Sequence, residues 1–278
     1  MSTNNKFNTN GVDFVKRDWD TLVILDACRY DTFVDTADLP GRTKAVESLA
    51  SSTPEFLRAN LDGKRLYDTV YVTANSQLDA SDVEVEFHDV IRVWNNHWDN
   101  KLGVPPDVMT GVAREALKDY PNKRAIVHYI QPHLPFLGET GRKIHDVHGS
   151  NINDESNSIW LDKLRGTLPV STAELRTANE ENLAIALDSI ATLLPELDGK
   201  TVITSDHGQL IGDRVSPIPL IEYGHPGSTY VDELVRVPWH VYESGPRKQI
   251  IAEPPVASDE QITDATVERR LETLGYVS

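Results

Sequence analysis

In Ser205-Asp206-His207-Gly208 an Asp and a His stand side by side, directly after the apolar run Thr201-Val202-Ile203-Thr204. Where a buried strand opens into a glycine turn, such a pair can present two ligands to one divalent metal. Two more apolar runs deliver ionisable side chains in the same way. Leu22-Val23-Ile24-Leu25 ends in Asp26, and Ala125-Ile126-Val127-His128-Tyr129-Ile130 leads to His133. Asp26, Asp206 and His207 form a hard-to-borderline ligand set of two carboxylates and one imidazole, suited to zinc, manganese or magnesium. Read singly, each Asp is equally an ordinary helix cap. It is the set, with His207 adjacent, that points to a metal.

A nucleophile is expected in Ser52-Thr53-Pro54-Glu55-Phe56. Pro54 fits the first helical position and Thr53 the N-cap, where unpaired N–H groups and the helix dipole attract an anion. A hydroxyl touching a divalent cation loses its proton more readily and attacks phosphorus or sulfur. Thr53 is the expected nucleophile, with Ser52 in its place if the register slips by one. His133, flanked by prolines, and His225, in Tyr223-Gly224-His225-Pro226, are expected to face the leaving group or a second metal. Arg29 is positioned to meet an oxyanion, although Asp31 offers it a structural partner, and Asn75 follows an apolar run onto the same rim. Cys28 reads as a small packed residue.

The elements that must hold these residues alternate between short β-branched runs and amphipathic stretches, the signature of parallel strands joined by helices. Strands are expected at Thr21–Asp26, Asp68–Thr73, Ala125–Ile130 and Thr201–Ser205, with Val237–Tyr242 as an edge strand because Pro238 lacks a ladder donor. Helices are expected from Arg29 to Thr36, Pro54 to Leu61, Pro105 to Leu117, Thr172 to Leu194 and Ala265 to Leu274. Residues 79–104 read as an irregular segment, Gly138–Ser158 as a mobile loop near the site, and the stretch up to His225 as a Pro-rich loop. Ligands of such open sheets bind beyond the carboxyl ends of the strands.

The net charge of −16, from 43 acidic and 27 basic residues among 278, excludes a phosphate backbone or anionic membrane as partner. The acid excess, with 11 Lys against 16 Arg, suits a halophilic host. A single cysteine excludes an internal disulfide framework and fits a reducing, cytoplasmic compartment. No apolar stretch is long enough for a transmembrane segment, and the polar N-terminus does not read as a secretory signal.

Five segments carry a family resemblance: Val23-Ile24-Leu25-Asp26-Ala27-Cys28-Arg29-Tyr30-Asp31, Ser52-Thr53-Pro54, Gln131-Pro132-His133-Leu134-Pro135-Phe136, Val202-Ile203-Thr204-Ser205-Asp206-His207-Gly208 and Tyr223-Gly224-His225. In these, and in the ending Leu271-Glu272-Thr273-Leu274-Gly275-Tyr276-Val277, the chain resembles the alkaline phosphatase superfamily, particularly its sulfatase-like branch. The resemblance implies an alkaline-phosphatase-like α/β three-layer sandwich, with a mostly parallel central sheet flanked by helices. Residues 1–19 read as a polar tail, and 20–278 as one sulfatase-like catalytic domain of a length that leaves no separate C-terminal subdomain. Asp26, Asp206, His207 and Thr53 would hold a divalent metal. His133 would contact the substrate or leaving group, and His225 would do likewise or complete a second metal site. Departures from the family pattern refine this. Phe56 stands where formylglycine sulfatases require Arg, and Ala27 replaces the second Asp of their paired carboxylates. His207 replaces their Asn, which moves the preference from calcium toward zinc or manganese, with magnesium or calcium as the other candidates. The expected function is a metal-dependent hydrolase or transferase with one or two ions. It would act on small-molecule or glycan- or lipid-linked phosphate esters, diesters ahead, or on sulfate esters. A true sulfatase and a non-catalytic metal-binding member are the alternatives.

Overall fold

Leu22 and Ile24 pack on one side of the first strand and Val23 and Leu25 on the other, all four buried, which is the pattern of a parallel strand covered on both faces. The structure, a computed structural model, describes residues 7–148, 159–215, 220–257 and 262–275. In chain order the elements are β1 Thr21–Asp26, α1 Tyr30–Thr36, β2 Arg42–Glu47, α2 Thr53–Leu61, β3 Lys64–Thr73, α3 Gln77–Ala80, β4 Val85–Arg92, α4 Val93–Asn96, α5 Pro106–Asp119 and β5 Arg124–Pro132. There follow α6 Glu139–His148, α7 Ile159–Arg165, α8 Thr172–Leu193, β6 Gly199–Ser205, β7 Leu210–Val215, β8 Leu220–Gly224, α9 Asp232–Val235, β9 Arg236–Ser244 and α10 Asp264–Thr273.

The main sheet has seven strands in the order β2-β9-β6-β1-β5-β3-β4. β6, β1, β5, β3 and β4 are parallel, whereas β9 runs antiparallel to β6 and β2 antiparallel to β9. On one face Phe56, Leu57 and Leu61 of α2 pack with Leu22, Ile24, Ile126 and Val202. Full burial of such side chains contributes roughly 1.5–3 kcal/mol each, which anchors α2 over the sheet. On the other face Leu183, Leu187 and Ile190 of α8 and Met109 of α5 pack with Val23, Leu25, Val127 and Ile203. α8 starts at a capping box in which Ser171 Oγ accepts the Glu174 N–H at 3.1 Å and Glu174 Oε2 accepts the Ser171 N–H at 2.8 Å. This is the expected three-layer α/β sandwich.

Several local expectations are corrected. Residues 79–104 are not irregular throughout, because Val85–Arg92 is the outer strand β4. Its Glu, His, Asp and Arg hide the alternation, yet Phe87 is buried and His88 Nδ1 lies 2.9 Å from the Pro254 carbonyl. Strand β9 is not an edge strand: the polar β2, which carries no apolar alternation to reveal it, covers its far side. Pro238 forfeits a ladder donor there, and its carbonyl accepts from Thr204 Oγ1 at 2.6 Å. Residues 139–148 of the expected loop are helix α6, seated by the burial of Ile144, while 149–158 lie outside the described residues. The stretch up to His225 contains the β7–β8 hairpin, with 216–219 outside the described residues. Helix α2 begins at Thr53 with Ser52 as N-cap, one residue earlier than Pro54 suggested. Ser51 bonds locally to Glu55, and Thr53 faces inward to Asp206. Of the expected tail, residues 1–6 lie outside the described residues, whereas Phe14 and Trp19 are buried and Trp19 Nε1 donates to the Phe14 carbonyl at 2.8 Å. Tyr276 and Val277 also lie outside the described residues.

The register brings the ionisable side chains to one rim. Ile24 pairs with His128 and Leu25 with Ser205, so Asp26 and Asp206 leave the sheet at the same level beyond the carboxyl ends.

Candidate functional site

Asp26, Asp206 and His207 meet there, none of them exposed, with ligand atoms all within 4.8 Å of one another. Two tight turns make this possible. Ala27 adopts a left-handed φ of 61°, which turns its N–H back to Asp206 Oδ1 at 3.1 Å. Gly208 runs so close to the 232–235 helix that a Cβ would collide with the Glu233 carbonyl. Its own N–H reaches the Leu234 carbonyl at 2.7 Å. Ser205 Oγ ties the two turns together, accepting the Cys28 N–H at 2.8 Å and lying 2.7 Å from the carbonyls of both Leu25 and His207.

The backbone also fixes which atoms face the centre. Asp206 Oδ1 accepts the N–H groups of Ala27 and His207, leaving Oδ2 inward. His207 Nδ1 lies 2.7 Å from the Gly208 carbonyl, which can only accept, so Nδ1 carries the proton and Nε2 presents its lone pair. Nε2 stands 3.5 Å from Asp206 Oδ2 and 3.7 Å from Asp26 Oδ1. Asn75 Nδ2 donates to Asp26 Oδ2 at 2.7 Å and holds that carboxylate in place. Three lone-pair-bearing atoms converging in a dry pocket are electrostatically costly unless protons or a cation intervene. Burial accordingly pushes Asp206 above the ordinary carboxyl range and His207 down to about 4. The donor set fits a divalent cation: hard carboxylates, one borderline imidazole in the tautomer a metal needs, and oriented outer partners.

Thr53 enters the cluster from the N-terminus of α2. Its hydroxyl donates to Asp206 Oδ2 at 2.8 Å and lies 3.2 Å from His207 Nε2. Ser52 is the partly exposed N-cap, so Thr53 is the residue whose hydroxyl reaches the cluster. His133 Nε2 and His225 Nε2 are 3.0 Å apart, and the His225 ring centroid lies 4.6 Å from that of His207. Burial pushes both His133 and His225 well below the ordinary histidine range, and the charge each would feel from the neighbouring imidazoles adds to the shift. Near neutral pH the pair is therefore uncharged and shares one N–H···N bond.

Arg29 is brought to the rim but is committed elsewhere, to Asp31 at 2.6 Å and Asp213 at 2.9 Å. Burial pushes the Cys28 thiol well up, consistent with its reading as a packed residue. Two participants were missed in the sequence. His128 is buried on β5 with Nδ1 2.7 Å from the Tyr71 hydroxyl and Nε2 4.0 Å from Asp206 Oδ2. Burial pushes it down to about 4, so this contact is not an ion pair near neutrality. The signal was a His inside an otherwise apolar strand, three residues before Gln131. Glu55, in the first turn of α2, reaches the loop after His225.

The three-layer fold is shared by solved structures at low sequence identity. The C-terminal periplasmic domain of EcEptC from Escherichia coli, in complex with Zn, is similar at 14% identity and a TM-score of 0.50, covering 84% of this chain and 75% of that one. The C-terminal periplasmic domain of phosphoethanolamine transferase EptC from Campylobacter jejuni is similar at 12% identity and a TM-score of 0.50, covering 80% of this chain and 78% of that one. The chain spans only 47% of the integral membrane lipooligosaccharide phosphoethanolamine transferase A from Neisseria meningitidis, which it matches at 12% identity over 80% of its own length with a TM-score of 0.49. No family model matches the chain, and no curated protein does. Among the described residues no helix is long and apolar enough to cross a membrane.

Proposed function

We propose that this chain is a metal-dependent hydrolase or transferase of phosphate esters, diesters in particular, with Thr53 as the nucleophile. The observation that carries the reading is the position of Thr53 Oγ1, at the N-terminus of α2 and 2.8 Å from Asp206 Oδ2, with Asp26 and His207 completing the cluster. Asp26, Asp206, His207 and Thr53 would hold one cation, zinc or manganese by the chemistry of the set. When bound, the cation lowers the hydroxyl pKa of Thr53 and offsets negative charge on the transferring group.

Thr53 Oγ1 releases its proton to water and attacks phosphorus in line, and the bond to the leaving alcohol breaks as the P–Oγ1 bond forms. The N–H groups at the start of α2 face the anionic group being transferred. The His133–His225 pair gives the leaving oxygen an N–H donor, and an anionic ester beside it favours protonation of one imidazole. Water or an acceptor alcohol then displaces Thr53 and restores its hydroxyl. The unmodified hydroxyl is the favoured nucleophile over formylglycine, because Phe56, at the position of the required Arg, is buried in the core.

The test is turnover of an aryl phosphodiester, an aryl phosphomonoester and an aryl sulfate in added Zn²⁺ or Mn²⁺. Fastest turnover of the diester, lost in both Thr53→Ala and Asp206→Ala, is expected. Turnover that survives both substitutions would sink the mechanism, and faster sulfate than phosphate hydrolysis would replace it with a sulfatase.

A further inference from the structure

Glu55 lies in the first turn of α2, two residues after Thr53, and its side chain is almost fully buried. Its two oxygens face two different parts of the chain. Oε2 accepts the Ser51 N–H at 3.0 Å and lies 3.1 Å from Ser51 Oγ. Oε1 accepts the Ser228 N–H and the Ser228 hydroxyl, both at 2.8 Å. Ser51 extends the same junction, since its Oγ is 3.0 Å from the Pro226 carbonyl and accepts the Thr229 N–H at 3.1 Å. Segments separated by more than 170 residues in sequence are thus joined directly behind the proposed nucleophile.

The conformation of the joined loop requires such a hold. Ser228 has a φ of 59°, a left-handed backbone that a non-glycine residue keeps only when its surroundings impose it. Here the N–H and the hydroxyl of that residue both close onto one carboxylate oxygen. Three residues earlier in the same loop is His225, whose ring lies against His207 and whose Nε2 is 3.0 Å from His133 Nε2. Bonds that fix residues 226–229 to the start of α2 therefore fix the distance between the imidazole pair and Thr53.

We propose that Glu55 is a positioning residue, which sets His225, and through it His133, over the nucleophile by clamping the 226–229 loop to the N-terminus of α2. This rests on the phosphoester reading of the site. The clamp acts through placement: Glu55 need not touch the substrate, and its loss is felt at His225. A displacement of about 1 Å of a catalytic group costs on the order of 100-fold in rate, which sets the size of the expected effect.

The experiment has two arms. In the first, kcat/KM for the aryl phosphodiester is measured for Glu55→Ala, His225→Ala and the double variant, with Glu55→Gln as the conservative replacement. Glu55→Ala is expected to lower kcat/KM by about 100-fold, mostly in kcat, yet by less than about 2-fold in the His225→Ala background, and Glu55→Gln recovers part of the loss. Independent, multiplying losses in the double variant overturn the proposal. In the second arm, amide exchange followed by NMR needs no activity. Ser228 is expected to exchange at least about 10-fold faster in Glu55→Ala while Ile203 in β6 keeps its protection; unchanged exchange at Ser228 overturns the clamp. Loss of protection at Ile203 would mark global unfolding, and Glu55→Gln then carries the same comparison. If the unaltered protein turns over no ester, the functional reading fails by itself, and the exchange arm alone decides whether Glu55 holds the loop.

Discussion

Lowering the pH of the metal-free protein from about 7.5 to about 5.5 perturbs the buried imidazoles before any depressed carboxylate responds. His128 and His207 are each pushed from 6.5 to about 4 by burial. A histidine whose native pKa is depressed contributes full stability above its unfolded pKa and loses it as pH falls through the window down to the native value. At about pH 5.5 each of the two costs about 1.4 kcal/mol, or about 3 kcal/mol together. His133, His225, His145 and His240, shifted in the same direction, add to the loss. Asp206 acts in the opposite sense, because a carboxyl with a raised native pKa favours the native state as pH falls, and it offsets part of the total. The depressed carboxylates Asp13, Asp18 and Asp31 lose their contribution only below about pH 4 and leave this window clean. Against a net stability of about 5–15 kcal/mol, a 3 kcal/mol loss lowers Tm by about 6–12 °C. The assay is thermal unfolding in chelator across that pH range, for the unaltered protein and for His128→Gln. Removing His128 is expected to cut the acid-induced drop by about 1.4 kcal/mol, about 3–6 °C. An equal drop in both proteins, or a Tm that rises on acidification, would refute the account of a dry, neutral imidazole cluster.

Zn²⁺ or Mn²⁺ is expected to raise Tm, by the equivalent of about 2.7 kcal/mol at a hundredfold excess over Kd, and to flatten the pH dependence, since an occupied site holds His207 neutral; calorimetry at both pH values checks this. Asn75→Ala is expected to weaken metal binding by about 10–100-fold in a competition titration against a fluorescent chelator, because the donor that holds Asp26 Oδ2 is lost while the ligands remain. Ala27→Val is expected to destabilise the protein by at least about 1–2 kcal/mol in urea unfolding, because a β-branched residue is forced to the φ of 61° that brings the Ala27 N–H to Asp206.

Much of the site was legible because its residues close apolar runs. Asp26, Asp206 and His207 each end a strand that is buried on both faces, and a parallel sheet delivers such ends to one rim whatever the loops do. Thr53 was legible from Pro54, although the helix starts one residue earlier than Pro54 suggested, with Ser52 as its extended N-cap. Strands β2 and β4 were not legible: Arg42–Glu47 and Val85–Arg92 lie toward the sheet margins, where charged side chains face solvent and the alternation that marks a strand is blurred. His128 was read as part of an apolar run, since nothing local indicates that its ring meets Tyr71 and Asp206 from strands distant in sequence. The Glu55–Ser228 junction has no local signature at all, being a long-range contact set by how the loop after β8 returns to α2.

The central claim is that Thr53 attacks the ester, and the most direct measurement is acid quench during turnover of an aryl phosphodiester with Zn²⁺ or Mn²⁺, followed by peptide mass spectrometry. With a bis-aryl phosphodiester one aryl alcohol leaves, and the account predicts the remaining aryl phosphoryl group on Thr53, absent in chelator and in Thr53→Ala. The same group on Ser52 or His133, or undiminished turnover by Thr53→Ala, would contradict it.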